Sequence, residues 1–195
     1  DACGVGLIAS TEGKKSRKVV EYGIEALKAV WHRGAVDADG KTGDGAGIHL
    51  EIPSDFFAEK IEITGHDHDG SEICVGMIFL PRNNYQAQEN ARTLVESELT
   101  KSNFSIYGWR QVPVNPKVLG EKANLTRPEI TQVLFKHNNK DLTEKELERK
   151  IYESRRKIEK EAIKDAIEGF YICSISSKSV IYKGMFLAES IADFY

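Results

Sequence analysis

Apolar residues recur along this chain with two different periods, and each period predicts a different kind of element. Val20, Ile24 and Leu27 follow one another at the spacing of one helix face, and this pattern is typical of an amphipathic helix. Thr143 and Glu146 form a capping box at the start of a longer helical pattern. The helical period predicts helices over about residues 17–30, 89–101 and 143–169, and Pro-Ser-Asp at residues 53–55 predicts the start of a short helix that continues to about residue 60.

Shorter apolar or alternating runs predict strands. These runs cover residues 3–9, 48–52, 73–80, 104–109, 130–136, 171–176 and 179–183. Only Ser177 and Lys178 separate the last two runs, so we predict a hairpin there. The first run is predicted to be a short buried strand with Cys3 at its outer end. No linker or repeat interrupts the pattern, which predicts a single α+β domain over residues 1–195, with antiparallel strands and outer helices.

Two polar segments lie between these elements. Residues 33–47 have no apolar period and contain five glycines, which permit tight turns and close backbone approach. Residues 66–69 read His-Asp-His-Asp, side chains that can hold a metal ion. Because they lie among turn residues with no further ligand set nearby, we predict a solvated loop and no metal site.

Charge and cysteine content narrow the functional classes. Lys and Arg number 27 against 30 Asp and Glu, a net charge of −3, so nothing favours binding to nucleic acid or to an anionic membrane. The sequence shows no long apolar run and no signal-peptide pattern, so we expect a cytoplasmic protein. Because the three cysteines are widely spaced and odd in number, we expect neither a disulfide framework nor a zinc site. Cys74 and Cys173 are expected in the core, whereas Cys3 is a candidate nucleophile.

Three motifs in the first 47 residues indicate a role for Cys3. They are Cys-Gly-Val-Gly at residues 3–6, His-Arg-Gly-Ala at 32–35 and Thr-Gly-Asp-Gly-Ala-Gly at 42–47. Together they resemble the start of the class II glutamine amidotransferase domain of glutamate synthase. The resemblance continues in order through residues 108–114, 170–176, 182–185 and 193–195. It implies an N-terminal-nucleophile fold, a four-layer α/β/β/α sandwich, of which we expect this chain to form only the N-terminal part.

The resemblance implies a reaction as well as a fold. In this family the cysteine thiol attacks the amide carbon of glutamine, releases ammonia and leaves a thioester that water cleaves. The free α-amino group of the same cysteine is the base, and its pKa of about 8 leaves part of it neutral at pH 7. Asp1 and Ala2 precede Cys3, so we expect that the nitrogen of Cys3 is an amide until the bond to Ala2 is cut.

The loop supplies further candidates. His32, Arg33, Gly34, Asp44 and Gly45 are candidates for shaping the glutamine pocket. The alternative is that they are structural: tight-loop geometry alone accounts for the glycines, and a structural role also fits His32 and Arg33. None of the five is assigned as a general base.

Two family motifs are not found in residues 1–195. The family holds the glutamine carboxylate with an Arg-Phe-Ser-Thr motif and forms its oxyanion hole with an Asn-Gly-Glu segment, but this sequence has no Arg-Phe and no Asn-Gly dipeptide. Losing one oxyanion donor slows such reactions roughly 10²–10³-fold, so we expect the chain alone to be inactive. A complementing glutamate synthase chain is one expectation. The alternative is a non-catalytic remnant that acts as a binding protein.

We also have expectations about cofactors and about self-association. The flavin, iron–sulfur and nicotinamide sites of glutamate synthase belong to its other domains, so we expect no cofactor in this chain. Half a sandwich leaves strand edges and an apolar sheet face without cover, which favours a homodimer.

Overall fold

The computed structural model describes residues 4–30 and 34–195, and these form two compact units. The first unit contains the described residues up to Leu50 together with Pro113–Arg127 and Ile181–Tyr195, and the second contains Glu51–Val112 and Pro128–Val180. The helices are α1 Arg17–Ala29, α2 Ser54–Ile63, α3 Tyr85–Lys101, α4 Glu121–Thr126, α5 Glu144–Lys164 and α6 Ile191–Phe194. The strands are β1 Ala46–Glu51, β2 Cys74–Leu80, β3 Phe104–Gln111, β4 Glu129–His137, β5 Tyr171–Ser176 and β6 Ser179–Gly184.

The second unit is built on a four-stranded antiparallel sheet with the strand order β3-β4-β2-β5. Helices α3 and α5 contact each other, and both contact the sheet. Val95 of α3 and Ile151 of α5 pack with Ile78 and Phe135 of the central strands, and all four side chains are fully buried. The apolar positions read from the sequence therefore form one continuous core between the helix pair and the sheet.

The ends of the two long helices have local causes. Asn84 caps α3 by accepting a hydrogen bond from the Ala87 N–H at 3.0 Å. At the start of α5, Thr143 accepts from the Glu146 N–H and the Glu146 carboxylate accepts from the Thr143 N–H. The predicted capping box is confirmed, and it satisfies N–H groups that have no partner inside the helix. The helix ends at Lys164, earlier than the pattern predicts.

The first unit contains most of the two-stranded sheet of β1 and β6, and the helices α1, α4 and α6. Its buried apolar side chains come mainly from the last segment, where Phe186 packs on Phe194 with ring centroids 5.2 Å apart. Tyr195 lies against the same two rings, and its hydroxyl donates to the Lys183 carbonyl at 2.8 Å. Helix α1 contributes a half-buried face but no fully buried residue.

Most predicted elements are confirmed to within a few residues, and the mixture of helices with an antiparallel sheet confirms the α+β class. Two predictions are wrong. Residues 4–9 do not form a strand, and Val5 and Leu7 are 92% and 88% exposed. Their side chains favour a strand locally, but a strand also needs a hydrogen-bonded neighbour, and no described strand pairs with them.

The second wrong prediction is the hairpin of β5 and β6. Strand β5 pairs with β2, whereas β6 pairs with β1 in the other sheet. The connecting residues help to explain the difference. Two-residue hairpin turns favour residues that adopt a positive φ easily, such as Gly or Asn, and neither Ser177 nor Lys178 is of this kind. Instead the Glu148 carboxylate of α5 accepts hydrogen bonds from the N–H and hydroxyl of Ser177, at 2.6 and 2.8 Å.

None of the helices in the described part of the chain is long and apolar enough to cross a membrane. The prediction of a single domain over residues 1–195 stays a prediction.

Candidate active site

The candidate site residues divide into two groups. Cys3, His32 and Arg33 lie outside the described residues. Gly34, Asp44 and Gly45 lie in the first unit, in a segment we call the glycine-rich loop, residues 34–45. The structure thus gives the geometry of the loop that follows Arg33 directly in the chain.

The base of the glycine-rich loop is closed by Asp44. Its carboxylate accepts a hydrogen bond from the Ala35 N–H at 3.0 Å, and its own N–H donates to the Ala35 carbonyl at 3.3 Å. A bridge joins Val36 to Gly43, and the Asp37 N–H donates to the Thr42 carbonyl at 2.8 Å. The two sides of the loop therefore form a short antiparallel ladder. In it Asp44 holds the backbone directly beside Gly34.

The tip of the loop is organised by Asp39. Its carboxylate accepts from the N–H of Lys41 at 3.0 Å and from the N–H and hydroxyl of Thr42 at 2.7 and 2.5 Å. The hydrogen bonds from Thr42 and then from Lys41 favour the charged form and lower the pKa of Asp39 from 3.8 to about 2. Thr42 is almost fully buried, so its hydroxyl needs the partners that it finds here.

The tip also contacts α4, which lies far away in the sequence. The Ala123 N–H donates to the Thr42 hydroxyl at 3.4 Å, and the Lys122 ammonium lies 2.7 Å from the Asp37 carboxylate. Gly120, directly before α4, also lies against the tip. A Cβ atom at this position would overlap both the Asp39 carboxylate and the Thr42 hydroxyl, so the contact depends on a residue without a side chain.

The other end of the loop lies beside the last residue of β6. Gly45 has φ +121°, a backbone conformation that other residues rarely adopt, and a Cβ atom there would lie 3.3 Å from the Gly184 carbonyl oxygen. Gly45 therefore meets a conformational need of the backbone. This observation supports the structural alternative for this glycine without testing a role in the pocket.

Sequence reasoning missed Asp39, Thr42, Gly120 and Lys122. An Asp followed three residues later by Thr is a local turn signal that could have indicated the tip. Nothing local indicates Gly120, because its role arises only when α4 meets the loop.

The remaining candidate chemistry lies in the second unit. The Asp69 carboxylate lies 2.8 Å from the Lys136 ammonium and 3.2 Å from that of Lys140. The pKa of Asp69 lies far below its usual range, mainly because of the hydrogen bond from Lys136. No group of three or more His, Cys, Asp or Glu side chains arranged to hold a metal ion occurs within residues 4–30 and 34–195. Of the four residues expected in a solvated loop, Asp69 is thus engaged in ion pairs.

The two other cysteines, Cys74 and Cys173, are buried, as predicted. Cys74 is fully buried and Cys173 is 5% exposed. Burial is the main cause that raises the pKa of the Cys74 thiol well above its usual value. Since the thiolate is the reactive form, both its burial and its protonation keep the Cys74 thiol from reacting.

Comparison with known proteins identifies the family. A family model of class-II glutamine amidotransferases matches residues 3–195 of this chain. The chain belongs to this family. The match begins at Cys3 and includes residues of both compact units, and it confirms the resemblance that the motifs indicate.

Relatives of this chain include glutamate synthases. It is 55% identical over 195 residues to the large chain of the NADPH glutamate synthase of Azospirillum brasilense. It is 38% identical to a ferredoxin-dependent glutamate synthase of Pyropia yezoensis and to ferredoxin-dependent glutamate synthase 2 of Synechocystis sp.. Each alignment covers 100% of this chain but only 12–13% of the relative. The chain thus spans about an eighth of the length of these relatives.

Proposed function

We propose that this chain supplies the nucleophile and one pocket loop of a site that hydrolyses glutamine to glutamate and ammonia. The observation that carries the proposal is the match to class-II glutamine amidotransferases, which begins at Cys3 and continues to residue 195. The Cys3 thiol forms a bond to the amide carbon of glutamine. The amide nitrogen leaves as ammonia, with the proton given up by the thiol, and a thioester remains. Water then cleaves the thioester to glutamate and restores the thiol.

The base in this proposal is the α-amino group of Cys3, which requires removal of Asp1 and Ala2. An amide nitrogen has no lone pair available for a proton at neutral pH, whereas a free α-amine has a pKa of about 8. His32, Arg33 and Gly34 shape the pocket for glutamine. Asp44 and Gly45 act on the pocket through the backbone path of the glycine-rich loop. Besides glutamine and water, this chemistry uses only groups of the polypeptide, so the proposal includes no cofactor bound by residues 1–195.

We propose further that residues 1–195 do not hydrolyse glutamine by themselves. The family's carboxylate clamp and oxyanion hole come from motifs that these residues do not contain. Without them the negative charge of the tetrahedral intermediate has no prepared donors, and each missing donor lowers the rate roughly 10²–10³-fold. A region carrying both motifs, in the same or in a second polypeptide, completes the site in this proposal.

The experiment measures ammonia release from glutamine. Polypeptides beginning at Asp1 or at Cys3 are assayed alone and then together with the region of a glutamate synthase that carries the two motifs. We expect turnover only in the combination with Cys3 at the N-terminus. Cys3→Ala abolishes it, and Cys173→Ala, which removes a buried thiol, does not.

Two results would contradict the proposal. Turnover that survives Cys3→Ala excludes Cys3 as the nucleophile. The completed polypeptide beginning at Cys3 could also be folded and still release no ammonia, which would favour the non-catalytic alternative. Turnover by residues 1–195 alone would overturn only the proposal that other residues complete the site.

A further inference from the structure

The contact between the glycine-rich loop and α4 does more than maintain the shape of the loop. Within the loop, that shape also depends on the ladder that Asp44 closes and on the hydrogen bonds that Asp39 accepts from Lys41 and Thr42. The Gly120 contact adds something different, since it joins the loop to a segment distant in sequence. It fixes where the loop lies within the first unit.

From this geometry we infer that Gly120, Asp39 and Thr42 are positioning residues that hold the glycine-rich loop in place for glutamine binding. The inference rests on the proposed function, because the loop contains the pocket candidates Gly34, Asp44 and Gly45. None of the three positioning residues needs to touch the substrate. They act through the backbone at Ala35 and Asp44, the two residues that hydrogen-bond each other at the loop's base.

The chemistry of the contact makes it sensitive to small changes. Thr42 is 3% exposed, and its hydroxyl donates to Asp39 and accepts from the Ala123 N–H. Removing that hydroxyl leaves the buried Ala123 N–H without its acceptor and takes one hydrogen-bond donor away from the Asp39 carboxylate. Adding one methyl group at Gly120 forces the loop away from α4, since the Cβ position is already occupied by Asp39 and Thr42 atoms.

Paired variants separate positioning from simple loss of stability. Gly120→Ala and Thr42→Val disturb the contact. Thr42→Ser keeps the hydroxyl and serves as the conservative rescue. Gly40→Asn is the matched control in the same loop, because Gly40 has open space around its Cβ position and a left-handed backbone that Asn tolerates.

Two measurements are made on each variant: amide hydrogen exchange of residues 34–44, and kcat and KM for glutamine in the active combination defined above. We expect Gly120→Ala and Thr42→Val to speed exchange at Asp37 and Asp44 and to raise KM about tenfold or more, with a smaller change in kcat. Thr42→Ser and Gly40→Asn should remain within about twofold of the unmodified protein in both measurements.

The outcomes distinguish this inference from the proposed function. Unchanged exchange in Gly120→Ala and Thr42→Val overturns the positioning role, whatever happens to glutamine. Faster exchange with an unchanged KM limits the contact to a structural role and also overturns the inference. If the unmodified protein hydrolyses no glutamine, the proposed function fails, and the inference that the loop is positioned for glutamine fails with it, while the exchange data still decide whether the contact holds the loop.

Discussion

The two compact units are stabilised in different ways. In the second unit, apolar side chains from α3, α5 and the central strands form a core in which Val95, Ile151 and Phe135 are fully buried. In the first unit, α1 has no fully buried residue, and the glycine-rich loop is held by hydrogen bonds and by close approaches of glycines. The second unit depends mainly on the amount of apolar surface removed from water, and the loop depends on the fit of individual atoms.

This difference has a consequence for mutations. In a packed core, the loss of stability follows the volume removed, and the fold tolerates similar side chains. In a loop held by polar contacts, adding one methyl group or removing one hydroxyl can shift the position of the loop while the buried apolar area changes little. We therefore expect large effects on stability from the second unit, and effects on glutamine binding from the first.

Truncating the core of the second unit should give the largest loss of stability. Ile151→Ala removes a fully buried side chain of α5 and should lower the free energy of unfolding by about 3 kcal/mol, measured by urea denaturation. Its neighbour Tyr152 is 61% exposed, so Tyr152→Ala should change the free energy of unfolding by less than about 0.5 kcal/mol. Equal losses for the two variants would show that α5 does not pack as described.

Removing the carboxylate at the turn between β5 and β6 should have an intermediate effect. Glu148 accepts hydrogen bonds from Ser176 and Ser177, so Glu148→Ala should cost about 2 kcal/mol of unfolding free energy. Glu153 lies on the same helix, and its side chain forms an exposed ion pair with Arg149. Glu153→Ala should therefore cost about 0.5 kcal/mol or less. A larger loss from Glu153 than from Glu148 would contradict the role of this turn.

The smallest expected effect on stability is the pH-dependent contribution of the Asp39 carboxylate at the tip of the glycine-rich loop. The pKa of Asp39 is about 2 in the folded protein against an ordinary value of 3.8, so its carboxylate favours the folded state above about pH 4. This contribution is lost as the pH falls through about 2. The stability difference between the unmodified protein and Asp39→Asn should be present at pH 6 and should narrow between pH 4 and pH 2.

Urea unfolding across this pH range measures that difference. Asp67→Asn removes the same charge from an exposed loop of the second unit and is the matched control. A difference for Asp39→Asn that widens as the pH falls would reverse the expected sign and contradict the hydrogen bonding of Asp39.

The structural features that could be predicted from the sequence are those determined by residues close together along the chain. The capping box at Thr143 and the period of α1 are local signals, and both elements form where they were expected. The prediction of a β5–β6 hairpin failed because the two residues between the runs do not favour a hairpin turn, and because the partners of β5 and β6 are strands distant in the sequence, β2 and β1. Gly120 could not be found at all, because its need for an absent side chain exists only where α4 meets the loop.

The central claim, that Cys3 is a nucleophile directed at glutamine, is tested most directly by mapping a covalent adduct. The active combination beginning at Cys3 is treated with a glutamine analogue that carries a reactive diazoketone in place of the amide, and the labelled cysteine is located by mass spectrometry. We expect one adduct at Cys3 that excess glutamine prevents, with buried Cys74 and Cys173 unlabelled. Labelling at either buried cysteine, or at Cys3 with no protection by glutamine, would contradict the account.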